Sequence, residues 1–147
     1  MVKQTGYKHS DITERIIGAF YSVYGSLGYG FLEKVYRNAI LIELHQVGLE
    51  AVVEQPIEVF YRNQLIGHYF TDLVVNGKVI VELKTVERLL DEHEAQILNY
   101  LKATSYEIGL LLNFGPKPEV KRKIFDNNRK GTMDWLQKSN TASPLCK

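Results

Sequence analysis

The hydrophobic period of this 147-residue chain switches from helical to two at Gly48, and that switch restricts its fold more than any other feature. Before it, apolar residues recur every three to four positions: Ile12, Ile16, Ile17, Phe20 and Val23, then Leu32, Val35, Tyr36, Ala39, Ile40 and Leu44. This spacing predicts two amphipathic helices, from Asp11 to Tyr24 and from Phe31 to Val47. Ser10 or Asp11 is available to cap the first helix, and Gly25-Ser26-Leu27-Gly28-Tyr29-Gly30 separates it from the second. Gly48 closes the second helix.

After Gly48 the alternating runs are Val52, Glu54 and Pro56 with Ile57, Val59 and Tyr61, then Leu65 to Val75, then Val79 to Lys84. Arg62-Asn63-Gln64 and Asn76-Gly77 separate them, which predicts a three-stranded antiparallel meander. Pro56 cannot donate to a ladder, so it belongs at an edge or a bulge. Asp91 to Ala103 returns to helical spacing, and Tyr106 to Phe114 is an apolar run of strand length. The expected architecture is α+β: helix, helix, three-stranded meander, helix, strand, with a mixed sheet flanked by helices.

Composition narrows the function classes. With 45% hydrophobic residues and 18 basic against 17 acidic ones, global disorder is excluded and one domain over residues 1–147 is expected. The only cysteine, Cys146, can form neither an internal disulfide nor a cysteine cluster, so a metal site must use oxygen or histidine. The start, Met1 to Asp11, lacks a signal-peptide core, and apolar patches such as Gly109–Leu112 are far too short to span a bilayer. The chain reads as cytoplasmic, with no membrane partner. Charge is nonetheless segregated: Pro116 to Lys130 holds six basic and two acidic residues, a basic tail that reads as a solvated, partly ordered end or as a phosphate-facing arm.

The chemistry-bearing stretch runs from Thr71 to Lys84. Alternation puts Glu82 and Lys84 on one face of the last meander strand and Leu83 on the other, while Asp72 stands on the neighbouring strand. An unpaired buried charge costs several kcal/mol, roughly, so these groups must be exposed, paired or metal-bound. Two carboxylates with an ammonium make a hard-oxygen site suited to Mg²⁺ or Mn²⁺, to which Leu83 can add its carbonyl. The hairpin sets a condition on this site. A two-residue Asn76-Gly77 turn would place Asp72 opposite Val81 and send Asp72 and Glu82 to opposite faces. A shared metal requires a register shifted by one, as from a three-residue Val75-Asn76-Gly77 loop with Gly77 left-handed, or a bulge near Asp72.

Asp72, nine intervening residues and Glu82-Leu83-Lys84, in this order of elements, resemble the PD-(D/E)xK nuclease superfamily, whose restriction-endonuclease-like core has this architecture. The usual proline before the first acid is absent, Phe70-Thr71-Asp72 standing there instead. Gly30 to Arg37 resembles the signature of the GxxExxR family, and Gln96 with Tyr100 resembles the QxxxY motif of RecB-type nucleases. The ordinary reading of Glu33 and Arg37 is a helix pair at spacing four, worth only about 0.3 to 0.5 kcal/mol. The resemblance gives Glu33, Asp72 and Glu82 metal-binding roles, and Lys84 the attacking water. Gln96 and Tyr100, with His93 on the same helix face, would support the site or the nucleic-acid backbone. It implies an Mg²⁺-dependent nuclease acting on nucleic acid, DNA first, with Arg37, Lys102, Lys121, Arg122 and Lys123 on phosphates.

The alternatives are a non-catalytic nucleic-acid-binding or partner subunit of the same fold, and a hydrolase of a small phosphorylated substrate. A chain this short without a separate DNA-binding domain points towards a homo-oligomer or a protein partner.

Overall fold

The computed structural model describes residues 8–131. The order is α1 (Ser10–Leu27), α2 (Glu33–Gln46), β1 (Ala51–Val53), β2 (Pro56–Tyr61), β3 (Gln64–Phe70), β4 (Leu73–Val75), β5 (Val79–Lys84), α3 (Asp91–Lys102), β6 (Ile108–Phe114) and β7 (Pro118–Ile124). A five-stranded mixed sheet runs β1-β4-β5-β6-β7, with β5 and β6 parallel across the α3 crossover and the other neighbours antiparallel. This is the expected α+β architecture, consistent with a restriction-endonuclease-like fold. Among the described residues no helix is long and apolar enough to cross a membrane.

The meander differs from expectation in one respect. Each of its first two runs is broken in the middle, at Glu54-Gln55 and at Thr71-Asp72. The outer halves, β2 and β3, form a separate two-stranded sheet, and the inner halves, β1 and β4, join the main sheet. Glu54 takes a left-handed φ of 52°. Two backbone bonds, from Glu54 N–H to the Asp72 carbonyl and from Thr71 N–H to the Gln55 carbonyl, carry the chain across the break. The register is unchanged across the break, Val53 facing Leu73 before it and Pro56 facing Phe70 after it, so the backbone turns at Glu54, across from Asp72, without an inserted residue. Period-two counting does not register the break, because the strand register and the alternation continue through it unchanged.

A second correction concerns the basic tail. Residues 118–124 are not a partly ordered end but strand β7, paired with β6 from Phe114↔Pro118 to Ile108↔Ile124. Lys121, Arg122 and Lys123, standing between Val120 and Ile124, suit an edge strand, where charge discourages pairing with other chains. The cap of α1 also differs: His9 in a left-handed conformation precedes the helix, and no side chain caps it.

Two apolar clusters fix the layers. One face of β5 and β6, with Val79, Val81, Leu83, Leu110 and Leu112, packs against Ile16, Phe20, Ile40 and Leu44 of α1 and α2. Tyr36 lies fully buried there, stacked on Phe114 at 4.3 Å, and its hydroxyl donates to the Gly28 carbonyl at 2.6 Å. Burying a ring this completely is worth about 3 kcal/mol or more against alanine, and it fixes where α2 begins. The opposite face, with Ile80 and Leu111, packs against Ile97 and Leu101 of α3 and Ile57 of β2.

Candidate active site

The β4–β5 register decides whether the two central carboxylates can meet. Val75 faces Val79, Val74 faces Ile80 and Leu73 faces Val81, so the next pair sets Asp72 opposite Glu82. The register has the parity a shared site requires. The loop that supplies it is Asn76-Gly77-Lys78 rather than Val75-Asn76-Gly77, and both Asn76 (φ 52°) and Gly77 (φ 64°) are left-handed. Asparagine tolerates that region and glycine enters it freely.

The two acids are tied to one another's strands. Asp72 N–H donates to Glu82 Oε2 at 3.1 Å, and Leu83 N–H donates to Asp72 Oδ2 at 2.7 Å. Each carboxylate keeps a second oxygen outside these bonds. Glu82 is buried, and burial, then the charge of Asp72, pushes its carboxyl up to about 8. Burial also raises Asp72, against the pull of the Leu83 N–H and of the Lys84 and Arg37 cations. Glu33, on the first turn of α2, is raised by burial of its carboxylate and then by Asp72. Lys84, half-buried, draws all three acids down.

A cleft of about 360 Å³ opens here, lined by Glu33, Lys34, Arg37, Glu54, Asp72 and Leu83. Arg37 Nη1 pairs with Glu54 Oε2 at 3.2 Å, while its Nε is buried without a protein partner. Among the described residues no three histidine, cysteine or acidic side chains stand close enough together to hold a metal by themselves. Asp72 and Glu82 are adjacent, and Glu33 acts on them through its charge.

The third predicted group lies next to the acids. Tyr100 is buried, its hydroxyl held up to about 12 by burial, then by Glu82, Tyr69 and Asp72, against a hydrogen bond with Gln96. His93 instead closes the start of α3, where its Nδ1 accepts from Leu90 N–H at 2.9 Å. The basic residues do not form one patch. Lys121 is exposed and faces Leu111, itself paired with Glu82, so it shares the face of the acids two strands away. Lys123, on the same face, is paired with Glu94 at 2.5 Å. Arg122 alternates to the other face, where it donates to the Lys8 carbonyl at 2.8 Å. Lys102 lies 5.5 Å from the centre of the Phe125 ring.

A profile of the PD-(D/E)XK nuclease superfamily matches residues 10–123. The chain belongs to the PD-(D/E)XK nuclease superfamily. No curated protein and no solved structure matches it. PD-(D/E)XK nucleases generally use divalent metal ions, and the donor set here fits one. Two adjacent carboxylates whose charge is so poorly neutralised that they hold protons tightly are hard-oxygen ligands, and Mg²⁺ is usually bound by one or two carboxylates with waters and substrate phosphate. The finer signature departs by one place, since the residue three beyond Glu33 is the buried Tyr36 and Arg37 follows it.

One network escaped the sequence reading. Asn113, fully buried in β6, donates from Nδ2 to the Val86 carbonyl at 3.0 Å and to Glu119 at 2.8 Å, and its Oδ1 accepts from Val86 N–H at 3.0 Å. Glu119 also accepts from Leu89 N–H at 2.8 Å. Together they clamp the segment that follows Lys84. Gly115 completes the clamp: a Cβ there would lie 2.0 Å from the Val86 carbonyl oxygen. Within an apolar run a single asparagine carries no periodic signal, so only its conflict with burial could have marked it.

Proposed function

We propose that this protein is a Mg²⁺- or Mn²⁺-dependent nuclease that hydrolyses phosphodiester bonds in nucleic acid, DNA in preference. The observation that carries the reading is the pairing of Asp72 with Glu82, with Lys84 one step on along the same face. Asp72 and Glu82 would hold the cation, joined by the Leu83 carbonyl, with Glu33 reaching it through water. When bound, the cation supplies positive charge against the charge that develops on the phosphate. Lys84 orients the attacking water, and Tyr100, backed by Gln96, borders the acids where it can support Lys84 or the strand. Arg37, which lines the cleft, offers its guanidinium charge to a phosphate there, and Lys121 and Lys102 meet neighbouring phosphates without reading sequence. Gly30, Glu33 and Arg37 support a GxxExxR-type branch with the arginine displaced by one place, and Gln96 with Tyr100 supports a RecB-like one.

The test is incubation of the purified protein with labelled single-stranded DNA, duplex DNA and RNA, each with Mg²⁺, Mn²⁺ or chelator. Cleavage should require the metal and vanish in Glu82→Ala and Lys84→Ala, both remaining folded by circular dichroism. Residual activity within about threefold of wild type in both variants would refute the assignment.

A further inference from the structure

A cavity of about 630 Å³ lies between the β2–β3 hairpin and α3, lined by residues including Phe60, Tyr69, Gln96, Asn99, Tyr100 and Lys102. Its size is in the range of small-ligand pockets, about 300 to 1,000 Å³. It sits on the side of the sheet that carries Asp72 and Glu82, and Tyr100 belongs to both sites: it lines the cavity and lies within electrostatic reach of the two acids. We infer that this cavity receives an unstacked nucleobase next to the scissile phosphate, and that the substrate therefore carries unpaired bases: a single strand or a flipped-out nucleotide. The inference rests on the nuclease reading of the acid site.

Three features favour this occupant. Tyr69 and Tyr100 stand 5.9 Å apart at 41° and line the cavity with Phe60, and Tyr69, the exposed one of the three, offers an aromatic ring on which a base can stack. The exposed amides of Gln96 and Asn99, one turn apart on α3, each offer a donor and an acceptor, the pair needed to meet a base edge. Lys102 at the rim supplies a cation for the backbone of a strand that continues outwards. A base inside a duplex exposes neither its faces nor its Watson–Crick edge, so it cannot enter such a pocket until it is extruded. Phosphate contacts alone would need cations, not a chamber with aromatic walls.

Fluorescence anisotropy in chelator separates these contributions. The probes are a labelled single-stranded DNA, the same strand annealed to its complement, and an abasic strand of the same length. Base stacking predicts that the intact single strand binds roughly 5- to 100-fold more tightly than the abasic one. Tyr69→Ala should bring the intact strand close to the abasic value and leave abasic binding unchanged. Asn99→Ala, on an exposed helix position, serves as a second variant and should weaken only the intact strand. Equal affinity for intact and abasic strands, or wild-type affinity in both variants, overturns the pocket. If cleavage that depends on Glu82 accompanies that result, the nuclease reading stands without it. If binding depends on Tyr69 and Asn99 but no metal supports cleavage, the pocket stands and the nuclease reading falls.

Discussion

In metal-free protein, stability should fall as pH rises from about 5 to about 8, and Glu82→Gln should remove most of that fall. Glu82 is 6% exposed and faces Asp72 across the β4–β5 ladder. Burial and the neighbouring charge carry its carboxyl from an ordinary 4.5 to about 8. Between those values the folded protein holds a proton that the unfolded chain has released. The contribution is therefore fully present below the unfolded value and is lost as pH climbs through the folded one. One pKa unit is about 1.4 kcal/mol, so the span sets a ceiling of roughly 5 kcal/mol. Asp72 is raised as well and shares the titration, which spreads it, and we expect about 2 to 4 kcal/mol. Glutamine keeps an acceptor for Asp72 N–H while removing the titration. Glu94, held below its ordinary value by Lys123, loses its contribution only in more acid solution, so the window is clear of it. Urea melts with chelator at several pH values across this range measure the trend. Saturating Mg²⁺ should reverse its sign, because the cation needs the carboxylates deprotonated, and should add about 2.7 kcal/mol at 100 times its dissociation constant. A wild type whose stability is flat or rises with pH, or a Glu82→Gln variant with the wild-type slope, would refute the reasoning.

Asp72→Asn should be at least as stable as wild type in chelator, by about 0.5 to 2 kcal/mol, since an amide oxygen can still accept from Leu83 N–H while the charge facing Glu82 is gone. It should lose metal-induced stabilisation in thermal melts, and a clearly destabilised variant would make Asp72 a structural residue. Asn113→Ala strands both backbone groups of Val86 and the bond to Glu119, and should cost roughly 3 kcal/mol in urea melts. A loss below about 1 kcal/mol would deny the clamp. Lys121→Ala should lower the salt slope of DNA binding by about 0.7 to 0.9 without loss of stability, and an unchanged slope would remove Lys121 from the interface. Lys123→Ala, which breaks the pair with Glu94, should show in stability first.

The helices were legible because burial on one side writes a period into the sequence. Ile12, Ile16, Phe20 and Val23 are all buried, as are Tyr36, Ile40 and Leu44. Strand β6 was legible for the opposite reason, being buried on both faces and therefore continuously apolar apart from Asn113. The failures share a cause. The breaks at Glu54 and Asp72 separate two sheets by turning the backbone, and the strand identity of residues 118–124 depends on pairing with β6. Neither property belongs to a local stretch of side chains. The separation of Arg122 from Lys121 and Lys123 follows at once when the segment is known to be a strand, and is invisible while it reads as a tail.

The candidate site shows the same division between composition and register. Asp72, Glu82 and Lys84 stand out because charge is expensive on strands that are otherwise buried. Whether they act together was not a matter of residue identity at all. It depended on the parity of a loop, and one residue fewer between Val75 and Val79 would have turned Glu82 towards α1 and α2 while leaving every motif intact. Left-handed Asn76 and Gly77 hold the longer loop, and left-handed Glu54, its N–H on the Asp72 carbonyl, stands on the other side of Asp72. The bonds from Asp72 N–H to Glu82 and from Leu83 N–H to Asp72 then lock the pairing by the backbone groups of the acids' own neighbourhood. Two turn residues far from the cleft therefore determine its geometry. This explains how a site with so few charged groups keeps two carboxylates together against their repulsion without three converging acids to define it.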